Sequence, residues 1–211
     1  MSDEQAIGSE ADEQQLETEL LERREAALAN VVKFGDPVLK SVASPVTVFG
    51  PELRAEVERM IAIMRDGMGV GLAATQLGVL RRLLVFQAGA DGEPTALVNP
   101  VVEWLSDEGS LAEEGCLSLP RVTMDVERPL HARVSGRDAE GESIEIEASG
   151  LEARVLQHEI DHLDGILILD RTSRDQRKGA LRALRGGGSY SPPPEHDADD
   201  GDELREPRTD A

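Results

Sequence analysis

The chain has 211 residues and a formal charge of −20, with 42 Asp and Glu against 22 Lys and Arg. That length allows one domain of ordinary size plus tails, large enough to bury a core without disulfides. The acidity sits mainly at the ends: residues 1–30 carry −7, residues 186–211 carry −6, and the stretch between them −7. This balance argues against general nucleic-acid binding and for solubility. The single cysteine, Cys116, rules out an intrachain disulfide, fits a reducing compartment and makes the thiol a candidate for chemistry. No apolar run approaches the roughly 18 residues that a membrane span needs. No basic segment followed by an apolar stretch opens the chain, so the expected location is the cytoplasm, with no membrane partner.

Residues 1–15 are polar and acidic and read as disordered. Leu16, Leu20, Leu21 and Leu28, with Glu and Arg between them, predict a short amphipathic helix up to Val32. Asp36-Pro37 and Ser44-Pro45 mark a loop. Pro51 opens a helix whose apolar residues Leu53, Val57, Met60, Ile61 and Met64 recur at helical spacing and which ends near Gly67. A Gly-rich apolar segment, 69–78, follows. Leu83–Phe86, Ala96–Val98, Val101–Leu105, Val122–Glu127, Ala132–Arg137 and Ser143–Ala148 read as strands, and Glu113–Pro120 as a compact turn. A helix with Leu151, Val155, Leu156 and Ile160 facing the core runs from Gly150 to Gly165, and a basic helix spans Arg171–Arg185. The fold class implied is α+β, with short antiparallel or mixed strands around a central helix. Three regions are expected: an acidic extension over 1–30, partly disordered or a short helix; a catalytic domain over 31–185; and an acidic disordered tail over 186–211.

The central helix carries His158-Glu159-Ile160-Asp161-His162. Histidines four apart share one helix face and can bind one metal ion. A metal lowers the pKa of a coordinated water toward about 7, and Glu159 is placed to take its proton and later return it to a leaving amine. The bland alternative is a surface helix with two solvated histidines. The third ligand sets the class. A metzincin would have histidine where Ile168 stands, and no glutamate follows Leu163 before Glu195. Cys116 is the better candidate, since a thiolate plus two imidazoles leaves one position open for water. The opposing reading is a buried structural cysteine.

Three segments, Gly-Val-Gly-Leu-Ala-Ala-Thr-Gln (69–76), Glu-Gly-Cys-Leu-Ser (114–118) and Gln-His-Glu-Ile-Asp-His (157–162), resemble the signature motifs of peptide deformylases, in the same order. Asp36-Pro37 and Asp164-Gly165 resemble that family too, and the similarity covers roughly residues 31–175. The resemblance implies a hydrolase that removes the formyl group from N-formylmethionyl nascent polypeptides and releases formate. It implies Cys116, His158 and His162 as metal ligands and Glu159 as general acid/base. Gln76 and the backbone N–H of Leu117 would hold the formyl oxygen as it gains charge. Val70, Gly71, Leu151 and Val155 would line the methionine pocket, although core packing is the competing account of the apolar three. Gly71 would let backbone come close to a peptide, pairing with it as an added strand.

The metal implied by the resemblance is Fe(II), with zinc, nickel or cobalt acceptable to the same ligands. The basic residues of 171–185 suggest transient contact with the ribosome, against the simpler reading of a solvated helix face. His131 and His196 have no expected role. Two other readings stay open from the residues: a metal-dependent peptidase of the HExxH type, and a non-catalytic deformylase-like binding protein. Loss of a ligand or of the base would mark the second, and none is missing.

Overall fold

The computed structural model describes residues 3–87 and 92–193. Residues 194–211, with most of the acidic tail and His196, lie outside the described residues. Among those described there are four helices: α1 (Asp3–Ala29), α2 (Pro51–Asp66), α3 (Leu151–Leu163) and α4 (Arg174–Gly186). The strands are β1 (Gly71–Ala73), β2 (Leu83–Phe86), β3 (Thr95–Leu105), β4 (Gly109–Cys116), β5 (Leu119–Pro129), β6 (His131–Arg137) and β7 (Ser143–Ser149). They form a five-stranded sheet in the order β1-β2-β3-β6-β7 and a separate β4-β5 hairpin, every pairing antiparallel. The fold is α+β, and α3 lies at its centre against β1, β2, β5 and β7.

Strand periodicity places a helix on each face of the larger sheet. Successive residues of a strand point to opposite faces. On β2, Leu84 and Phe86 pack with Ala153, Leu156, Ile160 and Leu163 of α3, whereas Leu83 and Val85 pack with Val57, Met60 and Met64 of α2. Both faces are covered, so all four residues of β2 are buried. A third cluster ties Met124 and Val126 of β5 to Leu167, Ile168 and Leu169, which precede α4, and to Ala180 of α4.

Several elements depart from the sequence expectation. α1 starts at Asp3 rather than near Leu16, since Ala, Glu and Gln, all strong helix formers, make up most of residues 3–15. Ala96–Val98 and Val101–Leu105 belong to one strand, β3. Its pattern is interrupted by a bulge where Asn99, at φ 52°, turns its side chain to the backbone of Val46. The segment 113–120 is the tip of the β4-β5 hairpin, with Cys116 opposite Leu119. Regular structure does not stop at Gly186. Tyr190 donates to Arg121 O and accepts from Thr123 N–H, at 3.0 and 2.9 Å, and its ring fills the space that a side chain at Gly179 would take.

Candidate metal centre

α3 and the hairpin tip build the site together. The one-turn spacing sets His158 and His162 side by side, with ring centroids 4.9 Å apart. The β4 strand brings Cys116 to them, with Sγ 3.2 Å from His162 Nε2. The ligating atoms of Cys116, His158 and His162 all lie within 4.8 Å of one another. A mixed thiolate and imidazole set of this size fits one divalent transition metal ion.

Residues two apart on a strand share a face, so Glu114 accompanies Cys116 into the site. Its Oε2 sits 2.9 Å from His158 Nδ1, which leaves Nε2 for a metal. Arg128 binds the same carboxylate at 2.6 and 3.0 Å, and Arg154 at 2.6 Å. Arg128 reaches on to Asp161, which Arg171 also holds. These buried charges are paired throughout, which is what makes their burial tolerable. The sequence reading missed this network. Its one local signal was the two-residue spacing between Glu114 and Cys116.

The titration behaviour follows from the same contacts. Burial opposes ionisation of the Cys116 thiol, but the charges of His162 and His158 and their hydrogen bonds hold its pKa well below the ordinary thiol value. Burial also opposes protonation of His158, yet its bonds to Cys116 and Glu114 raise its pKa to about 10. Burial would raise the Glu114 pKa, but His158 and Arg128 bring it down to about 2. A thiolate facing a protonated His158 is an arrangement in which a cation can take the place of a proton. Glu159 is buried as well, and burial raises its pKa. Its Oε2 and His162 Nδ1 are the buried polar side-chain atoms without a partner among the described residues.

Around this centre lies a cavity of about 680 Å³ that reaches from Glu159 and His158 to Val70, Leu151 and Val155. Val70 and Leu151 are 48 % and 57 % exposed, so at these two positions the cavity wall, not core packing, is the environment. Val155 is buried and serves both. Gly71 borders the cavity, but the space a Cβ would need is taken by the Glu159 carboxylate. Its glycine is therefore required by Glu159, a constraint the sequence reading did not foresee.

Gln76 is 1 % exposed, and its Oε1 accepts from Ala73 N–H at 2.9 Å. That bond turns Nε2 toward Cys116 Sγ and Ser118 Oγ, at 3.6 and 3.4 Å. A strap, residues 32–34, holds both walls here. Val32 N–H donates to Gln76 O at 2.7 Å, Phe34 N–H to Ser118 O at 2.9 Å, and Lys33 Nζ to Leu117 O at 3.2 Å. Lys33 Nζ also caps the end of α1 through Leu28 O, at 2.9 Å. Gln76, Cys116, Leu117, His158 and Glu159 thus all line the cavity, and His162 is buried beside Cys116. His131 lies apart and bonds Ser149.

Residues 28–178 match the family model described as polypeptide deformylase. The chain belongs to the polypeptide deformylase family. Deformylases remove the N-terminal formyl group from nascent polypeptides, and this chain is an enzyme of that kind. It is 46 % identical over 152 residues to the peptide deformylase of Parafrankia sp., covering 72 % of this chain and 82 % of that one. The solved peptide deformylase of Thermotoga maritima shares 45 % identity at a TM-score of 0.66, over 68 % of this chain and 96 % of that one. A peptide deformylase from Synechococcus elongatus, solved in complex with actinonin, aligns at a TM-score of 0.70 and 37 % identity, over 75 % of this chain and 88 % of that one.

Proposed function

We propose that deformylation occurs where Cys116, His158 and His162 converge, with Glu159 as the proton carrier. The observation that carries this reading is the packing of three ligating atoms beside a buried carboxylate oxygen with no partner of its own. When bound, a metal ion supplies the Lewis acidity that lowers the pKa of water and polarises the formyl carbonyl. Glu159 takes the proton of the attacking water and passes it to the departing amine, and burial moves its pKa toward the range that suits a two-way carrier. Gln76 Nε2 and the Leu117 N–H receive the formyl oxygen as it becomes an oxyanion. Val70, Gly71, Leu151 and Val155 hold the methionine end of the substrate. Glu114 fixes the His158 tautomer from behind.

Iron(II) is the proposed native metal by family resemblance, and zinc, nickel and cobalt suit the same ligands. The proposed location is the cytoplasm, and no described helix is long and apolar enough to cross a membrane. Arg174, Lys178, Arg182 and Arg185 are exposed along one face of α4, which supports a transient, salt-sensitive contact with ribosomal RNA. The deciding experiment is an anaerobic formate-release assay on a formyl-methionyl peptide, with metal content measured on the same sample. One metal per chain and formate release are expected. Cutting of internal bonds in unformylated peptides would favour the peptidase reading instead.

A further inference from the structure

α1 adds a wall to the cavity from residues outside the family match. The family match begins at residue 28, yet Arg24 lines the cavity together with Leu28, one helical turn later. The position of this turn is fixed: Ala27 and Val31 are buried against the α2 cluster, and Lys33 caps the helix end. The helical neighbours of Arg24 at three and four residues are Leu20, Leu21, Ala27 and Leu28, so the nearest carboxylate on its own face is Glu17, two turns back along the helix. Arg24 makes no ion pair or hydrogen bond among the described residues. Leu16, Leu20 and Leu21 extend the same side outward and stay 59 %, 56 % and 57 % exposed. From Leu28 back to Leu16 the stripe runs about 18 Å, the span of five or six extended residues.

The charge around the outer cavity is opposite to that of the chain. Arg24, Lys33 and Arg121 face solvent there against Glu113, in a protein whose formal charge is −20. Arg121 is turned to Gly187 O and has no carboxylate partner. Glu114 and Glu159 lie deeper, at the metal end.

We infer that α1 is a docking track for the part of the substrate that follows formyl-methionine, with Arg24 selecting chains that carry an acidic residue there. The inference rests on the deformylase reading. It takes the nascent chain as occupant because the stripe is continuous with the substrate cavity and its cation is unsatisfied. A solvent-exposed charge pair is worth a few-fold in affinity and is strongest at low ionic strength.

The test is kcat/KM at low salt for formyl-Met-Ala-Ala-Ala-Ala peptides in which Asp, Ala or Lys is moved through the third to fifth positions. The unaltered chain, Arg24→Ala and Arg24→Glu are compared. At one or more positions Asp should exceed Ala by about two- to fivefold and Lys should fall below it, through KM rather than kcat. Arg24→Ala should flatten the series and Arg24→Glu should invert it. Equal rates across the series in the unaltered protein overturn the inference, as does an acid preference that Arg24→Ala leaves intact. Absence of formate from every peptide would remove the deformylase reading itself, a result distinct from either.

Discussion

α3 buries ten of its 13 residues, three of them ionisable groups at the proposed chemistry. In α1, Ala27 is the one buried side chain among those described. The difference lies in what each helix meets. α3 packs against β1, β2, β5 and β7, and its buried polar side chains find partners on β4, on β5 and at Arg171, with Glu159 Oε2 and His162 Nδ1 the exceptions among the described residues. α1 meets α2 along its last turns and otherwise rests on intrinsic helix propensity. Burial, not helicity, separates a helix that does chemistry from one that presents a surface.

The largest expected effect tests the α3 side of this contrast. Glu159→Gln should keep the metal and lower kcat by about 10²- to 10⁴-fold, read by formate release with metal analysis on the same protein. An unchanged rate would take Glu159 out of the mechanism. Leu156→Ala removes a fully buried α3 side chain and should cost about 2–5 kcal/mol in a denaturant titration. Glu114→Gln takes the charged acceptor from behind His158 and should weaken metal binding by about 10- to 100-fold in a chelator competition. The smallest effect belongs to α1: Leu20→Ala should change stability by no more than about 0.5 kcal/mol. A loss comparable to that of Leu156→Ala would mean that α1 is packed in solution, and the contrast would collapse.

Local features were legible in the sequence and remote ones were not. His158, Glu159 and His162 are visible because four-residue spacing on a helix is geometry written directly in residue order. Cys116 and Gln76 lie 42 and 82 residues before His158 by their numbers; the vacancy for a third ligand points to Cys116, but only the family resemblance joins Gln76 to the site. The Glu114–Arg128–Asp161–Arg171 network crosses two strands and two further segments, and no periodicity announces it. Residues 113–116 read as part of a turn because Glu113, Glu114 and Gly115 have weak strand propensity, whereas pairing with β5 is what extends β4 through them. The glycines at 186–188 suggested an end to structure, but Tyr190 gains a seat against Gly179 that composition does not reveal.

The strap at residues 32–34 has a consequence for where entropy is spent. Its three bonds tie Gln76, Leu117 and Ser118 in place through groups of the chain itself. The conformational freedom of the donors assigned to the oxyanion is therefore given up once, when the chain folds, and not again in each catalytic cycle. Binding energy from the methionine and the residues behind it then remains available for the transition state.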